Sequence, residues 1–185
     1  MKGTKSPAMI LASASPRRRQ LLSEHGYTFR VEPADVEEIQ PEGLSAAEIT
    51  LANARAKALY ISEKNPGEPV LGVDTLVALD GQIIGKPADM DEAYKILARL
   101  NGRIHEVYSA VWLAPCNRSW VEVSRVKFRA LSEPELRRYL ERIEPLDKAG
   151  AYAAQDDSPE SIVEWIEGSR TNVIGLPMEA LEKIL

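Results

Sequence analysis

PVLGVDTLVAL, residues 69–79, is an apolar run of the kind that fills a buried strand, and the Asp80-Gly81 pair after it is a strong hairpin turn into Gln82-Ile83-Ile84. Upstream, Met9-Ile10-Leu11 is a shorter run of the same type. It leads to Ser13 or Ser15 as a helix N-cap, Pro16 at the first helical position and Gly26 as the stop. Residues 27–32 alternate as a strand does, and 33–38, PADVEE, read as an acidic loop. Ser45 and Glu48 then form a capping-box pattern, and Leu51, Ala54, Ala58, Leu59 and Ile61 keep a helical period until Asn65-Pro66-Gly67 breaks it. Downstream of the hairpin, Asp89 and Glu92 open a helix that Asn101-Gly102 closes. Residues 104–113 and 120–128 are long strand-like runs joined by a turn near 115–119. Ser132 and Glu135 open a further helix, residues 161–166 and 172–174 are strand candidates, and Pro177 starts a C-terminal helix. The order predicts an α/β, mixed α+β fold with an extended mixed sheet flanked by helices.

Bulk properties narrow the function. The 185 residues carry a net charge of −5, which argues against a general nucleic-acid coat and makes any phosphate affinity local. The single cysteine, Cys116, excludes an internal disulfide and a multi-cysteine metal site. No apolar run reaches the length of a membrane span, and a cytoplasmic, soluble protein is expected. His25 and His105 stand apart from any nucleophile pattern, so no serine triad is expected.

Several residues sit where physical chemistry would not put them without a reason. Arg17, Arg18 and Arg19 crowd the first turn of a helix, opposing the dipole at a cost of roughly 0.3–1 kcal/mol apiece. Either a polyphosphate docks on the free N–H groups there and reverses that sign, or the arginines fan into water. If they only oppose the dipole, removing Arg17 or Arg18 should stabilise the ligand-free fold. Asp74 interrupts the apolar strand, which is costly unless it meets a metal, a cation or a proton. Lys86, just beyond the hairpin and stiffened by Pro87, is its candidate partner, functional or structural. A lone buried charge of this kind should make Asp74→Asn slightly stabilising. Asp147-Lys148 precede small residues that allow close backbone approach to a ligand, and Gln155 can donate and accept at a base edge. Glu37 and Glu38 could supply oxygen ligands to a hard cation or simply be solvated.

Five stretches, LASASPRRRQLL at 11–22, GVDTLVALDGQIIGKP at 72–87, the helix from Asp89 with Asn101-Gly102 and His105, EPLDKAGAYAAQ at 144–155 and NVIGLP at 172–177, together resemble the Maf family of nucleoside triphosphate pyrophosphatases. The resemblance spans almost the whole chain and implies one domain over 1–185, with two lobes around a nucleotide cleft and pairing as a homodimer. It implies cleavage of a nucleoside triphosphate between the α and β phosphorus atoms with a divalent cation, magnesium or manganese. Asp74 is then the catalytic acid or base, Lys86 a phosphate ligand, and Glu38 a holder of metal or water together with Asp74. Ser13, Ser15, Arg17 and Arg18 would cradle the triphosphate, with Lys57, Thr75, Asp147, Lys148 and Gln155 completing the substrate contacts. The trio Arg17, Thr75 and Gln155 resembles the branch acting on dTTP and UTP. Two departures stand: the family's helix lysine corresponds to Lys57 or, in a shifted register, to Arg55, and Asp156-Asp157 replaces a usual glycine. The alternatives are a pyrophosphatase for CTP, 7-methyl-GTP or another modified nucleotide, or a nucleotide-binding regulator without turnover linked to septum formation. No membrane association and no stable nucleic-acid complex are expected.

Overall fold

The computed structural model describes residues 5–156, 158 and 161–185, so Asp157 lies outside the described residues. Its elements in chain order are β1 (Lys5–Leu11), α1 (Pro16–Glu24), β2 (Tyr27–Val31), α2 (Ala46–Lys64), β3 (Val70–Leu79), β4 (Gln82–Ile84) and α3 (Met90–Leu100). There follow β5 (Ile104–Ala114), β6 (Arg118–Phe128), α4 (Glu133–Arg142), a single 3-10 turn (Ala149–Ala151), β7 (Val163–Glu167), α5 (Arg170–Ile174) and α6 (Met178–Ile184). Local chemistry sets most of these boundaries. The Ser45 hydroxyl accepts the Glu48 N–H at 3.3 Å while Glu48 accepts the Ser45 N–H at 2.8 Å, which starts α2. Asp80 and Gly81, at φ 51° and 75°, take the left-handed pair that a two-residue hairpin needs between β3 and β4.

The sheet runs β2-β1-β3-β5-β6-β7, with β1 parallel to both β2 and β3 and the remaining ladder antiparallel. β4 pairs with β3 on the side that β1 also uses. β1 holds Val70 and Leu71, β4 holds Val77 to Leu79, and among the described residues Gly72 to Leu76 between them have no strand partner on that side. Asp74 stands in the middle of this notch.

Two apolar cores lie side by side on one face of β3 and β5. Leu71, Val73, Val111 and Leu113 pack with Leu21 and Leu22 of α1 and with Met178 and Leu181 of α6. Farther along the same strands Val77, Leu79 and Val107 pack with α3, α4 and Phe128. The cross-strand pair Thr75–Ser109 separates them, its hydroxyls 2.9 Å apart. On the opposite face α2 covers Ile10, Val70 and Ala114 through Ala58 and Ile61.

One predicted strand is a helix. Residues 172–174 belong to α5, because the Ser169 hydroxyl caps the Asn172 N–H at 3.1 Å and the buried Asn172 amide is consumed sideways by Val107 O and the Ser124 hydroxyl. Three residues, one of them polar, carry no period that could separate the two states. Among the described residues no helix is long and apolar enough to cross a membrane.

Candidate active site

The notch in β3 opens into a cleft of about 390 Å³. All twelve side chains singled out from the sequence line it: Ser13, Ser15, Arg17 and Arg18 from the start of α1, Glu38 from the acidic loop, Lys57 from α2, and Asp74 and Thr75 from β3. Lys86 follows β4, and Asp147, Lys148 and Gln155 come from the loop after α4. Arg55 points elsewhere, its guanidinium over the Trp112 ring at 5.2 Å, and Glu37 is not part of the lining.

The partner of Asp74 is Lys57, not Lys86. Gly72 lets this happen, since a Cβ there would collide with the Ala54 carbonyl oxygen and lie 2.7 Å from the Ala58 nitrogen, so α2 rests directly on the strand. Lys57 Nζ then reaches Asp74 Oδ1 at 2.7 Å and Glu38 Oε1 at 2.6 Å. The Asp74 and Lys57 side chains are only 3% and 11% exposed, so the pair is desolvated and directional. Lys86 is an exposed part of the lining with no ion pair to Asp74 among the described residues. Partial burial pushes the Glu38 carboxyl up, but its bond to Lys57 and the charges of Lys57, Lys86 and Arg18 outweigh this and hold it below the usual carboxylate value.

Asn53 was missed by sequence reasoning. It lies one turn before Lys57, and its side chain brackets Ile39, accepting the Ile39 N–H at 2.9 Å and donating to the Ile39 carbonyl at 3.1 Å. Asp74 Oδ2 is 3.4 Å from its amide nitrogen. Asn53 thereby fixes the loop that delivers Glu38. The available signal was a polar pair at i and i+4 on the buried face of α2.

The arginines divide their labour. Arg18 turns inward: its Nε donates to Gly175 O at 2.9 Å, Nη1 to the Ser13 hydroxyl at 2.8 Å and to Val73 O at 3.1 Å, and Nη2 to the Thr75 hydroxyl at 3.1 Å. Val73 O faces the notch where no strand arrives, so the guanidinium supplies the donor a neighbouring strand would have given. Burial lowers the Arg18 pKa to about 10, with Asp74 opposing and Arg17 adding to the shift. Arg17 crosses the cleft mouth to Asp147 Oδ2 at 2.8 Å, and Arg19 is exposed. Asp147 also meets Lys148 Nζ at 2.6 Å; burial raises its carboxyl, and the bonds to Lys148 and Arg17 bring it below its ordinary value. Ser15 occupies the N-cap position without a side-chain capping bond, and Ser13 instead accepts the Ser15 N–H at 3.3 Å. Thus the first N–H groups of α1 are not capped by a side chain. Five cations, Arg17, Arg18, Lys57, Lys86 and Lys148, surround three carboxylates, Asp74, Glu38 and Asp147, which leaves the cleft at a net +2.

A family model described as Maf-like protein matches residues 8–185. The chain belongs to the Maf family. Among curated proteins similar to this Maf chain, the dTTP/UTP pyrophosphatase of Myxococcus xanthus is 46% identical, covering 92% of this chain and 87% of its own length. Proteins of the same name from Akkermansia muciniphila and Pelotomaculum thermopropionicum are each 41% identical, covering 97% and 96% of this chain and 95% and 94% of their own lengths.

Proposed function

We propose that this Maf chain hydrolyses dTTP and UTP to the nucleoside monophosphate and pyrophosphate. The observation that carries the proposal is a buried carboxylate, Asp74, held by Lys57 at the floor of a cleft with a net cationic lining. Such a lining suits a triphosphate, and the uncapped start of α1 beside Arg17 suits its terminal phosphates. Asp74 accepts a proton from water as that water attacks the α-phosphorus; the bond from the α-phosphorus to the bridging oxygen breaks and pyrophosphate leaves. Lys57 and Asn53 together orient the Asp74 carboxylate, the Lys57 ammonium at Oδ1 and the Asn53 amide at Oδ2. Arg17, Lys86 and Lys148 receive the charge that collects on the leaving pyrophosphate.

Magnesium or manganese fits the donor set. Asp74 and Glu38 converge on one ammonium, and among the described residues no third acidic, cysteine or histidine ligand joins them. Two hard carboxylates with the remaining positions left to phosphate oxygens and water match the way such cations are held. Asp74 and Glu38 would hold the ion, which supplies charge neutralisation at the phosphates.

Thr75 and Gln155 line the same cleft, and the residue types support the pyrimidine reading. A side-chain amide pairs with the carbonyl–NH edge shared by uracil and thymine, while cytosine offers an acceptor in place of that N–H. We take the two cores and the cleft between them as one domain that acts as a homodimer. The exposed Val123 and Trp165 on the outer strands, 42% and 37% accessible, support pairing, and light scattering on the purified protein checks it. Chromatography of a UTP digest tests the reaction. UMP with pyrophosphate is expected, and UDP with orthophosphate as first products would refute the assignment.

A further inference from the structure

The loop that carries Gln155 is anchored from behind by two residues of α4. The hydroxyl of the buried Tyr139 accepts the Ala153 N–H at 3.0 Å. One turn later Arg142 reaches Asp156, Nη2 to Oδ2 at 2.8 Å, and its Nη1 donates to the Ser158 hydroxyl at 2.8 Å. Asp156 Oδ1 accepts the Ser158 N–H at 3.1 Å, and the Asp156 N–H closes on Ala153 O at 3.3 Å. The Asp156 side chain is 13% exposed against 35% for Arg142, so protein shelters the carboxylate end of the pair. Gln155 lies between the two anchors. It is exposed, lines the cleft and makes no side-chain hydrogen bond to any described residue.

A base-reading amide must be free to pair yet fixed in position, because a loop that becomes ordered only on binding gives up affinity and selectivity together. We propose that Arg142 and Asp156 form a clasp that positions Gln155 and thereby sets the preference for uracil and thymine over cytosine. The proposal rests on the reading of the cleft as a triphosphate site with Gln155 at the base. Neither clasp residue lines the cleft, so Arg142 acts through Asp156 and the loop backbone and is a positioning residue. A partly exposed ion pair adds little to stability, but a fork that grips a carboxylate and a hydroxyl at once fixes geometry. Selectivity is therefore the sensitive readout, more than melting.

The test measures pyrophosphate release from UTP, dTTP and CTP by the wild type, Arg142→Met, Arg142→Lys, Asp156→Asn and Gln155→Ala. The wild type is expected to prefer UTP to CTP and Gln155→Ala to erase the preference. Arg142→Met and Asp156→Asn should each lower the ratio of kcat/KM for UTP over CTP by roughly three- to tenfold, through a higher KM for UTP with kcat within about twofold. Arg142→Lys, which keeps the charge without the fork, should recover part of the ratio. Asp156→Asn is isosteric and retains an acceptor for the Ser158 N–H, so it answers the question even where Arg142→Met fails to fold. A ratio that stays at the wild-type value in Asp156→Asn overturns the clasp, whatever happens to the melting temperature. A wild type that releases pyrophosphate from UTP and CTP equally well overturns it too and leaves the pyrophosphatase reading standing. A wild type that releases none from UTP or dTTP instead removes the reading on which the clasp rests.

Discussion

Asp74 tolerates its apolar strand because Lys57 meets it at 2.7 Å, and this reverses the stability expected from the sequence. An isolated buried charge would be relieved by Asp74→Asn; a paired one leaves Lys57 with Glu38 alone, so the variant should lose about 1–3 kcal/mol. Turnover should fall by about 10²-fold or more while nucleotide binding persists, checked by pyrophosphate release beside calorimetric titration. A rate above about a tenth of wild type would return Asp74 to a structural role. The arginines separate in the same way. Arg18→Ala strips donors from Val73 O and Gly175 O and should cost roughly 2–4 kcal/mol, against the gain that dipole repulsion alone suggests. Arg17→Ala breaks only the pair with Asp147 at the cleft mouth, so its melting temperature should barely move while KM for the triphosphate rises. Equal melting losses in the two variants would contradict this division. The anomalous charges themselves were legible in the sequence. Their partners were not, since the distance from Asp74 to Lys57 depends on how a helix lands on a strand.

That landing is decided at the scale of α2 and β3. Gly72 faces Ala54 and Ala58 with no room for a Cβ, so Gly72→Ala must lift the helix or bend the strand. Either movement draws Lys57 and Asn53 from Asp74. Stability should drop by about 1–3 kcal/mol and kcat should fall with it, measured by thermal melting and initial rates on the same preparation. A variant that melts early but turns over normally would show that the helix contact does not position the site. Elements announced by local chemistry were readable in advance: the box at Ser45 and Glu48, the Asp80-Gly81 hairpin and the two long strands β5 and β6 all stand as their residues imply. α5 was not, because its start depends on the Ser169 hydroxyl and its Asn172 amide bonds to β5 and β6, distant in sequence. The clustering of the site came from the family resemblance, because spacing alone does not bring residues 13, 57, 74 and 155 together.

Across the whole molecule the two cores share β3 and β5, and the second contains a buried histidine next to the cleft wall. His105 packs edge-on against Phe128 and Tyr152, and its Nε2 lies 3.1 Å from the Tyr152 hydroxyl. Burial lowers its pKa from 6.5 to about 4. The unfolded chain therefore takes up this proton first; the stability His105 gives is full above pH 6.5 and drains as pH falls toward 4. Melting temperatures recorded from pH 7 to 4 should decline, and His105→Leu should flatten that window. An identical slope in the variant would show that His105 does not carry the decline; carboxylates such as Glu38, whose pKa is lowered, give up their stabilisation only below the ordinary carboxylate value. The open stretch of β3 from Gly72 to Leu76 has a consequence for solubility. Unpaired strand edges invite foreign strands to add on and seed aggregates, and here such an edge lies in the interior of the sheet, bordered by β1 and β4. The Arg18 guanidinium occupies Val73 O, and the ion pair of Lys57 and Asp74 stands beside it, so an incoming peptide would have to displace a cation already bonded there. The groups proposed to receive a polyphosphate would thus also oppose strand addition at the cleft.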